Sequence, residues 1–170
     1  MVIIHTALLA EAQPLINALA LKKHHNHGNI VVYTHAEEPL CLIISGVGNY
    51  AAATAIGYGY AQQCADRHTQ IINIGIAGGE FEIGSLFKVN KIYDQASNRC
   101  YYPHLGSEKI PSVSCHSVLK PQNDYQADII YDMESSGFFT AANQFVNVEQ
   151  ILLLKIISDN SSAPTTKVDK

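Results

Sequence analysis

Short apolar runs that each stop at a glycine or an acid constrain this chain more than any other feature. Residues 2–9, 70–75 and 151–157 are apolar almost throughout, as expected of strands covered on both faces of a sheet. Two further β-rich runs, 30–34 and 40–45, are separated by the turn-like Glu37-Glu38-Pro39 and read as a hairpin. Between the runs lie segments with helical spacing: 11–21, where Pro14 is tolerable in a first turn, then 50–65 and 133–145. Residues 86–93, 112–119 and 127–131 read as additional strands, and 22–29 as a polar turn. Strands and helices alternate, which predicts an α/β fold. The expected form is a single three-layer domain over residues 1–160, with a central mixed, mostly parallel sheet flanked by helices. A loose tail is expected at 161–170.

Composition narrows what such a domain can bind. Hydrophobic residues make up 47% of the 170 positions and charged residues 15%, which supplies a core and argues against a disordered chain. A formal net charge of -4 leaves no electrostatic footprint for nucleic acid or an anionic membrane. No apolar stretch reaches the roughly 18 residues of a spanning helix, and the start of the chain lacks a basic leader. A ligand must therefore be held by a pocket. The four cysteines, Cys41, Cys64, Cys100 and Cys115, are scattered without a C-x-x-C pair, so neither a disulfide framework nor zinc spacing is present. A reduced, cytoplasmic setting is expected, with no metal and no cofactor.

In sheets of this kind ligands bind beyond the carboxyl ends of the strands. Five polar or glycine-rich groups fall there: Glu11, Gly46-Val47-Gly48, the glycine-rich run 75–79, Asp132-Met133-Glu134, and Ser158-Asp159. Each has a structural explanation of its own, since acids cap helices and glycines permit tight turns. Their shared placement is the argument for one composite site. Carboxylates directly after buried strands sit in low dielectric, where their proton affinity rises toward the range useful in proton transfer.

Five blocks then occur in a recognisable order: Ala7-Leu8-Leu9-Ala10-Glu11-Ala12, Ser45-Gly46-Val47-Gly48-Asn49-Tyr50-Ala51-Ala52, Ile71-Ile72-Asn73-Ile74-Gly75-Ile76-Ala77-Gly78-Gly79, Asp132-Met133-Glu134-Ser135, and Lys155-Ile156-Ile157-Ser158-Asp159. In these the chain resembles the nucleoside phosphorylase/nucleosidase superfamily, and most of all its methylthioadenosine/adenosylhomocysteine nucleosidases. The resemblance implies cleavage of the N-glycosidic bond of an adenosine-type nucleoside. It implies Asp159 as the acid that protonates or hydrogen-bonds purine N7, with Ser158 beside it. Glu134 would hold the ribose hydroxyls, Met133 would pack under the sugar, and Glu11 would activate water. Val47 would line the wall near the 5′ substituent, Gly78 would let the base approach, and residues 114–119, Val118 among them, would supply contacts to the base. An oxocarbenium-like sugar stabilised by nearby negative charge fits these assignments.

Phosphorylases of the superfamily hold phosphate with arginines, one of them in the loop after the first strand. That loop here is Leu9-Ala10-Glu11-Ala12-Gln13, and Arg67 and Arg99 lie outside every matched block. A dianion needs several charge-assisted donors, so hydrolysis is favoured. A phosphate-dependent phosphorylase and an inactive nucleoside-binding homologue are the alternatives. Three departures bear on this choice. Ile76 stands where related nucleosidases carry serine, the stretch 94–132 is short, and members of the family continue into a helix after the position of Asp159. The Asp159 loop is accordingly expected to be mobile or to need a partner subunit.

Other groups are set aside. His24, His25 and His27 fall in the polar turn and read as solvated surface rather than a metal site. Cys115 and His116 are neighbours in a strand and point to opposite faces. Gly57 and Gly59 each weaken a helix by roughly 1 kcal/mol, so a close neighbour is expected there. Tyr58 and Tyr60 are read as a packing or dimer surface. The small-residue helix and the family resemblance both predict a homodimer or larger homo-oligomer.

Overall fold

The structure, a computed structural model, describes residues 1–63, 65–106 and 109–163; Cys64 and most of the expected tail lie outside the described residues. The elements run β1 (Val2–Thr6), α1 (Leu9–Ala18), β2 (Lys22–His27), β3 (Ile30–Thr34), β4 (Leu40–Ile44), α2 (Asn49–Gln62), β5 (Gln70–Gly79), β6 (Leu86–Asp94), β7 (Arg99–Tyr101), β8 (Ser112–Ser117), β9 (Ile129–Asp132), α3 (Ser135–Ala142), a 3-10 turn (Val148–Gln150) and β10 (Ile151–Asp159). The expected three-layer α/β architecture is observed. In β1 and β4 consecutive side chains point to opposite faces, and the layers divide accordingly. Ile4, Leu42 and Ile44 pack under Ala12 and Ile16 of α1. Ile3, Cys41 and Ile43 pack against Ala55 of α2 on the other face. There α2 and α3 together cover Ile71, Ile92, Ile130 and Leu153, with Phe138 fully buried among them.

The strand order is β10-β6-β8-β9-β5-β1-β4-β3-β2, with β7 on β6 and a further pairing of β10 to β5. The strands β5, β9, β8, β6 and β10 therefore close into a ring, from which β1, β4, β3 and β2 extend as an open wing. Strand β5 serves both parts. Its first residues pair with β1, Gly78 and Gly79 pair with β9, and its opposite edge carries β10 from Ile71 to Gly78. Parallel pairs join β4, β1, β5 and β10 and also β6, β8 and β9. The other contacts are antiparallel, so the sheet is more evenly mixed than the expected mostly parallel one.

Several local expectations are corrected. The polar run from Lys22 is an edge strand, paired antiparallel with β3 through its backbone; a charged, exposed edge strand protects a sheet from further pairing. The glycine-rich run 75–79 is the second half of β5 and not a loop, because partners on both edges hold it extended. The last helix starts at Ser135 and ends at Ala142, leaving Met133 and Glu134 in the turn before it. The short strand β7 was not expected. A close neighbour exists at Gly59, where a Cβ would strike the Ile43 side chain, but nothing lies near Gly57. Ala52, Ala55 and Gly59 of α2 are buried inside the chain, whereas Thr54 and Ala61 remain exposed on its outer side. Tyr60 stacks on Phe145 at 4.5 Å and Tyr58 on His27 at 5.5 Å, so these tyrosines also pack internally.

Candidate active site

A cleft of about 230 Å³ opens at the carboxyl ends of β1, β4, β5, β8, β9 and β10. All nine residues singled out from the sequence line it: Glu11, Val47, Ile76, Gly78, Val118, Met133, Glu134, Ser158 and Asp159. The run of tight turns after the strands explains the convergence. Gly48, at φ 107°, turns the chain from β4 into α2 in a conformation that suits glycine. Its N–H donates to Glu134 Oε1 at 2.7 Å.

Glu11 is fixed by three backbone donors. The N–H groups of Ala7 and Leu8 reach Oε2 at 2.8 and 2.9 Å, and that of Ile76 reaches Oε1 at 3.1 Å. Both lone pairs of Oε2 are thus used, whereas Oε1 retains one. The site serine expected from relatives is Ile76 here, 38% exposed at the cleft wall, and its contribution to Glu11 comes from the backbone, which any side chain leaves in place.

Beneath the cleft lies a buried charge network that residue-by-residue sequence reasoning left unassigned. Lys155 Nζ and Asp132 Oδ2 are 2.7 Å apart with both side chains 1% exposed. Asp132 also accepts from the Ser135 amide at 3.0 Å and hydroxyl at 2.6 Å, and from the Cys115 thiol at 3.4 Å. Such a pair survives burial only when the remaining lone pairs are satisfied in this way. Burial opposes the charge on Lys155, but Asp132 and Glu134 outweigh it and hold the ammonium firmly protonated. Burial, with Asp132 beside it, pushes Glu134 up to about 7, against the opposing pull of Lys155 and the Gly48 amide. Under the same floor, His5 is fully buried between Ser45 Oγ and Asn73 Nδ2, both at 2.9 Å. Burial and then Lys155 lower its pKa to about 3, so the ring is neutral. A lysine inside the apolar run ILLLKII was the sequence signal for this network, since lysine is almost never fully buried unless paired.

At the other end of the cleft Asp159 has both oxygens engaged. Ser158 Oγ donates to Oδ1 at 2.5 Å, and the Tyr125 hydroxyl donates to Oδ2. A Cβ on Gly78 would lie 2.8 Å from Asp159 Oδ2 and 2.7 Å from Tyr125 Cζ, so the missing side chain is what admits both groups. Tyr125 comes from the irregular segment between β8 and β9, whose Pro121, Gln122 and Asn123 also line the cleft. No sequence pattern marked it. No lysine or arginine lines the cleft among the described residues, and no group of three or more potential metal ligands occurs among them. No helix of the described residues is long and apolar enough to cross a membrane.

Comparison with known proteins places this fold. No protein-family model matches the chain, and no curated protein matches it. Solved structures do. The methylthioadenosine/adenosylhomocysteine nucleosidase of Streptococcus pneumoniae, in complex with 8-aminoadenine, matches with a TM-score of 0.76 at 17% identity, over 95% of this chain and 88% of that one. The methylthioadenosine nucleosidase of Arabidopsis thaliana matches with 0.76 at 18% identity, over 97% and 84%. A futalosine hydrolase mutant of Helicobacter pylori matches with 0.71 at 12% identity, over 92% and 88%. The chain has the fold shared by these nucleosidases of the nucleoside phosphorylase/nucleosidase superfamily, as the ordered motifs implied.

Proposed function

We propose that the domain spanning residues 1–160 cleaves the N-glycosidic bond of a purine nucleoside, of the adenosine type, with water as acceptor. The observation that carries the reading is the gathering of Glu11, Glu134 and Asp159, from three distant parts of the chain, around one cleft in a nucleosidase fold. The base lies at the Gly78 end, where Asp159 protonates or hydrogen-bonds N7 and makes the base a better leaving group. Glu134 takes the ribose hydroxyls and, as a nearby negative charge when ionised, favours the oxocarbenium-like sugar. Met133 packs under that sugar, and Val47 meets the 5′ substituent. Water is held by the remaining lone pair of Glu11 Oε1, which accepts its proton as the C1′–O bond forms and the C1′–N bond breaks. Ile76 and Val118 supply apolar wall.

The lack of cationic side chains around the cleft among the described residues supports water over phosphate, because phosphate requires charge-assisted donors. Release of free base from a nucleoside panel, followed chromatographically with and without phosphate, tests this. Base release without phosphate that disappears in Asp159→Asn is expected. Release only with phosphate would make the protein a phosphorylase, and binding without release would make it an inactive homologue. Self-association also remains part of the proposal. Val47, exposed at the cleft wall, and the exposed Leu9 and Tyr50 are the apolar groups a second copy would cover, and a purely monomeric sedimentation profile at micromolar concentration would remove that element.

A further inference from the structure

Tyr125 occupies the place where the proposed function puts the base. Its hydroxyl donates to Asp159 Oδ2, its ring edge lies against Gly78, and its ring packs on Tyr131 at a centroid distance of 5.6 Å. With Ser158 on the other oxygen, the carboxyl that should meet N7 already has a donor on each oxygen. The phenol therefore stands in for a donor group on a ligand's edge: a planar ring whose polar atom donates to Asp159. Burial, and then the contact with Asp159, raise the proton affinity of the phenol, which keeps it a donor.

The segment that carries Tyr125 is lightly held. Between β8 and β9, residues 120–127 form neither helix nor strand. Besides the Tyr125–Asp159 contact, their described hydrogen bonding consists of the Gln126 amide on the Tyr131 hydroxyl at 3.4 Å. The Leu119 amide, on Gln95 Oε1 at 3.1 Å, anchors the start of the connection; the residues after it are so sparsely tied that they belong to the low-stability parts of a fold, from which moving lids are drawn.

We infer that Tyr125 is an internal ligand of Asp159 and a specificity-determining gate: a base enters by displacing the phenol, carrying the 119–128 segment outward as a lid. The inference rests on the reading of Asp159 as the base-side acid. A leaving group must accordingly offer more to Asp159 than one hydroxyl does, through a ring nitrogen and a neighbouring donor. A simple alkyl or phenyl riboside cannot displace the plug. Only part of the protein is open at any moment, so the apparent affinity for a base is reduced by the open fraction.

The test uses adenine binding by calorimetry to the full chain, wild type against Tyr125→Phe and Tyr125→Ala, each first checked for a cooperative melt. Loss of the phenol–carboxyl hydrogen bond should raise the open fraction up to about tenfold, and affinity for adenine should rise by the same factor in Tyr125→Phe and further in Tyr125→Ala. Unchanged or weaker binding in both variants would overturn the gate and make Tyr125 a direct contact to the base, leaving the nucleosidase reading intact. Failure of all three proteins to bind adenine would overturn that reading and the gate with it. Stopped-flow binding to the wild type gives an independent readout that needs no variant. Opening before entrance predicts an observed rate that levels off at high adenine; a rate rising linearly throughout would refute the lid.

Discussion

Glu134→Gln separates the energetic cost of a buried acid from its service to a ligand. Glu134 is 7% exposed, and burial together with Asp132 carries its carboxyl from 4.5 up to about 7. At ~1.4 kcal/mol per unit, that rise is worth roughly 3 kcal/mol. Below pH 4.5 folded and unfolded chains both hold the proton and nothing is lost. Between 4.5 and about 7 the unfolded chain gives up its proton first, so the folded state loses stability steadily as pH rises, and above 7 the loss is complete. Glutamine stays neutral at every pH and retains an oxygen for the Gly48 N–H. The variant should therefore gain on the wild type as pH rises, by about 2 kcal/mol between pH 5 and pH 8 in urea unfolding. Taking the difference between the two proteins cancels His5, whose lowered pKa gives the opposite slope. A difference that does not change with pH would refute the reasoning, because it would mean that Glu134 ionises in the fold as readily as in water.

Three further outcomes are expected. Neutral His5, lowered from 6.5 to about 3, contributes stability that is full above 6.5 and lost as pH falls toward 3; by pH 5 the loss is about 2 kcal/mol, and His5→Asn should show a flatter acid limb in chemical unfolding. Lys155→Met strands Asp132 without a counter-charge and should cost about 3–5 kcal/mol, while adding Asp132→Asn should recover much of it; a single variant within ~1 kcal/mol of wild type would contradict the buried pair. Gly137→Ala places a Cβ 2.6 Å from the backbone of Asn49 and should cost about 3 kcal/mol through overpacking. Gly59→Ala meets only the end of the Ile43 side chain, which can rotate, and gains helix propensity of about 1 kcal/mol. Thermal melts of the pair should differ clearly, and equal melting points would contradict the α2–α3 contact.

What the sequence disclosed and what it hid follow from the range of the interactions involved. Strands such as Ile151–Asp159 announce themselves because both faces are buried and the apolar run is unbroken. Helix α1 is legible for a similar reason, since Ala12 and Ile16 lie on one stripe. The strand β2 is invisible in KKHHNH because it pairs through its backbone and its side chains are mostly exposed, with only His25 and His27 meeting Tyr58. The glycine-rich run 75–79 looks like a loop until partners appear on both edges. Glu11, Glu134 and Asp159 could be gathered because each lies at or within a few residues of the end of a strand, a position that topology constrains. Tyr125 belongs to a segment with no periodicity, and only the folded chain brings it to Asp159. The Asp132–Lys155 pair was half visible: a lysine amid leucines and isoleucines demands a partner, but nothing local says which acid supplies it.

The ring of strands has a consequence for how the chain folds. Strands β5 and β6 follow one another in sequence, yet β10 lies between them, pairing Ile71 with Ile151 and Leu86 with Ile156. Until that distant segment is inserted, the two earlier strands leave a slot bordered by unpaired edges. Loop-closure entropy makes such non-local pairing slow, and open edges in the meantime invite strand addition from other chains. Ser158 and Asp159 ride on the inserting strand. An early collapsed state therefore has neither the acid nor protected edges, and it acquires both in the same kinetic step.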